Sequence, residues 1–95
     1  MIGSNYQSFS FTRAAVAEHA PQVSGVYAIF NQKTWIYIGE SGDLRRRLLE
    51  HLNGDNPKIA AHAPTGFQTE LSAAQDRVAH QDQLIAQLKP VVNER

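Results

Sequence analysis

The sequence predicts a mixed α/β (α+β) fold: a small three-stranded antiparallel or mixed sheet flanked by helices. Two β-rich runs separated by a short polar turn predict a hairpin, and an alternating run from Phe67 to Leu71 predicts a third strand. Helix-capping signals fall before, between and after these runs. The resulting order, β-β-α-(α)-β-α, buries one stripe of each helix on the sheet. The 95 residues suit one domain over 1–95, with an N-terminal arm and short helix over 1–24 and a core over 25–93.

Met1 to Ser10 are polar, with two aromatics, Tyr6 and Phe9, that predict an irregular arm pinned by its rings. Thr12 is placed to cap a short helix through His19, which Pro21 ends. Gly25 to Phe30 and Trp35 to Ile38 are rich in β-formers, and Asn31 to Thr34 reads as the turn between them. Strict alternation puts Tyr27 on the face of Ile29 and Tyr37 on the face of Trp35. Asp43 caps a helix from Leu44 to Leu52 that Asn53-Gly54 stops. Asn56-Pro57 opens a further helical turn. Ser72 and Gln75 form a capping box for a last helix, with Ala74, Val78, Leu84, Ile85 and Leu88 as its apolar stripe and Pro90 at its end.

Composition narrows the function. Nine basic residues balance nine acidic ones, so binding of nucleic acid has to rest on a local patch. The absence of cysteine excludes disulfides, thiolate metal sites and cysteine nucleophiles, and it suits a reducing compartment. With no long apolar run, the expected location is cytoplasmic and away from membranes.

The polar candidates gain meaning in order. The chain carries Gly25-Val26-Tyr27, then Tyr37-Ile38-Gly39, then Asp43-Leu44-Arg45-Arg46-Arg47-Leu48, then His51, and closes with Leu84-Ile85 and Lys89-Pro90 before Asn93. From Gly25 to Asn93 it resembles the GIY-YIG endonuclease domain. The resemblance implies metal-dependent hydrolysis of a phosphodiester bond in DNA, with Mg²⁺ or Mn²⁺ as cofactor. Such chemistry needs a water deprotonated near neutral pH and donors for the charge that builds on phosphate. Tyr27, Tyr37, Arg47 and His51 match the catalytic positions. Tyr27 would act on the nucleophilic water, and a phenol that titrates near 10 needs a nearby cation for that task. Tyr37 would donate to the phosphate, and Arg47 would stabilise it through its fork of donors. His51, four residues after Arg47 on the same helical side, would tune a tyrosine or relay a proton. Gly39, Arg45, Arg46 and Asn93 are the candidate substrate-binding residues, Arg45 and Arg46 through weak backbone contact only. On their own, the tyrosines read rather as hairpin packing and the arginines as a solvated helix face.

One position departs from the pattern. Relatives place a metal-binding glutamate three residues before the Leu-Ile pair, and here that position is Gln81. The change keeps the shape and removes the charge that Mg²⁺ prefers in a ligand. Glu40, just after Gly39, is the candidate substitute ligand. Three functions therefore stand open: a nuclease weakened or silenced by Gln81, a nucleic-acid-binding module that keeps the fold, and a structural or protein-interaction domain. In the first two, a second copy of the chain or a separate targeting protein would position the nucleic acid.

Overall fold

A computed structural model describes residues 1–93. Along the chain come β1 (Phe9–Ser10), α1 (Arg13–His19), β2 (Gly25–Phe30), β3 (Trp35–Ser41), α2 (Leu44–Leu52), α3 (Pro57–Ala61), β4 (Gly66–Leu71) and α4 (Arg77–Leu88). The expected hairpin is β2–β3, antiparallel, with Tyr27 opposite Gly39 and Ile29 opposite Tyr37. β4 pairs antiparallel with the other side of β2.

Capping follows the sequence closely. Thr12 Oγ1 accepts from the Ala15 amide, Asp43 Oδ1 from the Arg46 amide and the Asn56 side chain from the Lys58 amide. Each side chain satisfies an amide that the first helical turn leaves without a partner.

The sheet has four strands rather than three, in the order β1-β4-β2-β3. The extra strand is a two-residue pairing of Phe9 and Ser10 with Phe67 and Gly66, too short to show alternation in sequence. Part of the arm therefore pairs with the sheet instead of being irregular. Its aromatic does pin it, because Phe9 stacks on His19 with ring centroids 4.1 Å apart. Buried Gln68 holds the rest of the arm: its Oε1 accepts from the Gly3 amide and its Nε2 donates to Gly3 O and Ser8 Oγ.

The two faces of the sheet carry separate cores. On one, Tyr27, Ile29, Ile36 and Phe67 pack with Val16 of α1, Leu44 and Leu48 of α2 and Ile59 of α3. On the other, Val26, Ala28 and Ile38 pack with Leu84, Ile85 and Leu88 of α4 and with Ile2 and Tyr6 of the arm. Each fully buried Leu or Ile contributes about 2 kcal/mol by leaving water.

Two further expectations change. The β2–β3 register shifts between Ile29 and Phe30, which leaves Ile36 as an extra residue between Trp35 and Tyr37. Ile36 and Tyr37 then both pack on the Tyr27 face, and Trp35 joins the opposite core. Tyr37 therefore does not share a face with Trp35. The last helix also begins at Arg77, not after Ser72. Ser72 is held to the start of the sheet instead: its amide donates to Ser24 O, and its carbonyl accepts from Ser24 Oγ. Ala74 precedes the helix and Val78 is exposed, so the stripe that packs on the sheet reduces to buried Leu84 with half-buried Ile85 and Leu88.

Candidate active site

The site is built on the face covered by α2. Tyr27 projects from the central strand, and its ring passes directly over Gly39 of the neighbouring strand. A Cβ at position 39 would collide with the Tyr27 hydroxyl and lie 2.5 Å from the ring carbon that bears it. Gly39 thus serves the site by giving way to the phenol.

The Tyr27 hydroxyl meets Nε2 of His51 at 2.6 Å. Tyr37 completes an aromatic cluster, its ring centroid 6.2 Å from that of Tyr27 and 5.4 Å from that of His51. Burial pushes the Tyr27 phenol far above its ordinary value; neighbouring Tyr37 adds to this and Arg47 opposes it. Burial also holds the His51 imidazole below its ordinary value, although Asp55 pulls the other way. The resting site is thus a neutral phenol against a neutral imidazole.

Arg47 and His51, one helical turn apart, converge on a residue that sequence reasoning missed. Asp55 Oδ1 lies 2.9 Å from His51 Nδ1, and its Oδ2 lies 2.5 Å from Arg47 Nη1. Glu50 Oε1 reaches the same Arg47 nitrogen at 2.9 Å. Burial alone would raise the Asp55 carboxyl, but Arg47 and His51 outweigh it and hold it below its ordinary value. The local backbone explains the convergence. Gly54 takes a left-handed φ of 85°. Its amide then donates to His51 O and the Asp55 amide to Glu50 O, which wraps the chain back over the last turn of α2. Asn53-Gly54 was the available signal, since a stop of this kind folds the residue after glycine toward the helix it ends.

The remaining candidates lie elsewhere. Arg45 Nε donates to Ala20 O at 2.9 Å and braces the end of α1, while Arg46 is exposed. Asn93 uses both ends of its amide on Ile38 of β3, accepting from its N–H at 2.6 Å and donating to its carbonyl at 2.8 Å. Gln81 stands on α4, the helix of the opposite core, one turn before Leu84 and Ile85. Its amide nitrogen approaches Asp82 Oδ1 at 3.4 Å. Glu40 is engaged by Arg77, whose Nε donates to Glu40 Oε1 at 2.7 Å and whose Nη1 donates to Ser24 Oγ at 2.9 Å.

These residues do not fit a divalent cation. A hard cation takes charged oxygen ligands, whereas Gln81 offers a neutral amide and the Glu40 carboxylate already neutralises a guanidinium. Among the described residues, no three or more His, Asp or Glu side chains are grouped to hold a metal. No described helix is long and apolar enough to cross a membrane.

Comparison with known proteins agrees with the fold. The profile of the GIY-YIG catalytic domain matches residues 23–78, a span that holds Tyr27, Tyr37, Arg47, His51 and Asp55 and ends before Gln81 and Asn93. The crystal structure of the GIY-YIG N-terminal endonuclease domain of UvrC from Thermotoga maritima, bound to its catalytic divalent cation magnesium, has a TM-score of 0.69 to this fold at 26% identity, over 83% of this chain and 96% of that one. A point mutant of the same domain bound to its catalytic divalent cation also gives 0.69 at 26% identity, over 84% and 96%. UvrABC system protein C of Hydrogenobaculum sp. (strain Y04AAS1) is 50% identical over 38 residues, which make up 40% of this chain and 7% of that protein.

Proposed function

The chain belongs to the GIY-YIG catalytic domain family, and from that premise we propose that it is a DNA-directed phosphodiesterase domain working at reduced rate. The observation that carries the reading is the hydrogen-bonded contact of Tyr27 with His51, flanked by Tyr37 and Arg47. A phosphodiester seated there meets the guanidinium of Arg47, which offers donors to the charge that grows on the phosphoryl oxygens. Tyr37 adds a hydroxyl donor to the same phosphate. Tyr27 takes a proton from the attacking water while it passes its own to His51 Nε2. This exchange avoids a free phenolate, which burial makes costly. Exposed Arg46 supplies weaker backbone contact, and Arg45 positions α2.

Relatives of known structure hold a catalytic divalent cation. The Gln81 and Glu40 donor set here does not suit one, so no step of this proposal runs through a metal. That mismatch favours a second reading, a domain that binds DNA without cutting it. In either case the neutral net charge supports delivery to DNA by a second copy or a separate targeting protein. The lack of cysteine supports a cytoplasmic location.

Incubation of the parent, Gln81→Glu and Tyr27→Phe with branched, nicked and linear DNA, with and without Mg²⁺ or Mn²⁺, tests the proposal. Slow cleavage by the parent, faster cleavage by Gln81→Glu with metal and none by Tyr27→Phe are expected. Salt-sensitive DNA binding without cleavage by either of the first two moves the assignment to the binding module. Neither binding nor cleavage ends both readings.

A further inference from the structure

We propose that Asp55 is a positioning residue of this site: its carboxylate fixes the His51 tautomer and the Arg47 guanidinium together, so that His51 Nε2 faces Tyr27 as a proton acceptor. The inference rests on the hydrolytic reading for its catalytic consequence, but its geometric content stands apart from it.

One carboxylate bridges the two groups, with Oδ1 on His51 Nδ1 at 2.9 Å and Oδ2 on Arg47 Nη1 at 2.5 Å. An ionised carboxylate only accepts hydrogen bonds. Nδ1 must therefore carry the hydrogen, which leaves the lone pair of a neutral ring on Nε2. That nitrogen lies 2.6 Å from the Tyr27 hydroxyl, so the hydroxyl donates to it. The opposite tautomer would set a ring lone pair against the carboxylate.

The protons then move in one relay. The water oxygen bonds to phosphorus as the ester oxygen leaves with the electrons of its bond. The water's proton moves to the Tyr27 oxygen, and the Tyr27 proton moves to His51 Nε2. The resulting imidazolium keeps its Nδ1–H on Asp55, which stabilises the positive charge. The leaving oxygen takes a proton from solvent, and His51 later returns one to solvent.

Arg47 gains in the same way. Asp55 and Glu50 both take Nη1, anchoring one corner of the guanidinium on the α2 side. The groups that face His51 are Tyr27 of β2, Tyr37 of β3, Arg47 and Glu50 of α2 and Asp55 of the following turn. Asp55 is the carboxylate among them that contacts the ring. Its side chain is 32% exposed, so Asp55→Asn is expected to fold.

The test is ¹⁵N NMR of the histidine rings in the full chain, with His51→Gln used to assign the signal. The parent should show neutral His51 protonated on Nδ1. Asp55→Asn should shift the ring toward the Nε2–H tautomer, while Glu50→Gln leaves it unchanged. A parent ring protonated on Nε2, or a tautomer indifferent to Asp55→Asn, overturns the proposal whether or not DNA is cut. Where cleavage is measurable, Asp55→Asn should lower kcat ~100-fold with little change in KM, and should displace the acidic limb of the pH profile. A kcat and pH profile equal to those of the parent also overturns the positioning role. If the parent does not cut DNA while the tautomer behaves as expected, the hydrolytic reading fails and the positioning of His51 stands; if Tyr27→Phe cuts normally, the relay through Tyr27 fails.

Discussion

At Gly39 the constraint is a single missing atom. The Tyr27 ring fills the space a Cβ would need, so the two residues define each other. Gly39→Ala is expected to destabilise the fold by about 1–3 kcal/mol, the usual cost of overpacking. Tyr27→Phe should not relieve that cost, because two ring carbons remain 2.5 and 2.9 Å from where the added methyl would sit. Tyr27→Leu removes those carbons, and in its background Gly39→Ala should cost much less. Urea denaturation of the four variants forms a double-mutant cycle. Equal costs of Gly39→Ala in the parent and Leu backgrounds would mean that the ring does not set the requirement for glycine. Both residues stand out in sequence through their motifs, whereas Asp55 belongs to none of those motifs and becomes visible only once Gly54 turns the chain back.

For whole elements, legibility followed the range of the forces involved. Thr12, Asp43 and Asn56 cap helices where the sequence places caps, because a cap bonds an amide two or three residues away. The β2–β3 hairpin was legible from local β-preference. Ser72 followed a rule of the same kind and misled, since its amide and carbonyl bond Ser24, which lies remote in sequence, and the helix starts later. β1 and the extra residue Ile36 likewise depend on partners distant in the chain. Asn93 shows the same dependence at the sheet's edge. β3 is an outer strand, and the segment after Pro90 covers it: the Val91 and Val92 amides donate to Trp35 O and Ile36 O, and the Asn93 side chain takes both polar groups of Ile38. An edge closed in this way offers no template to another strand. Asn93→Ala should cost about 1–3 kcal/mol by leaving two part-buried groups without partners. Hydrogen exchange at the Ile38 amide should quicken more than at the β2 amides. Uniform quickening across the sheet would instead indicate a global loss with no special role for this edge.

The molecule as a whole folds around a titratable seam between the sheet and α2, and its stability should record that in its pH dependence. His51 is held below its ordinary value of 6.5, so protons prefer the unfolded chain, and acidification through that value favours unfolding. Asp55, held below its ordinary value of 3.8, acts in the same direction at lower pH: the unfolded carboxyl protonates first, and the stability from the ionised group disappears. Tyr27 acts on the other flank. Its phenol is raised above the ordinary value of 10.0, so in alkali the unfolded chain loses its proton first and stability falls as pH rises past that value. The expected profile is a plateau from about pH 7 to pH 9, with losses on both sides that belong to different residues. Thermal unfolding measured from pH 4 to pH 11 gives the profile, and two substitutions assign its limbs. His51→Gln should lower the plateau but flatten the descent just below neutrality, while Tyr27→Phe should flatten the alkaline descent and leave the acidic one in place. Should the parent and His51→Gln lose stability in parallel between pH 7 and pH 5, the buried imidazole is not what resists the proton there. The picture of a neutral His51 waiting to accept from Tyr27 would then fail on thermodynamic grounds, independently of any DNA assay.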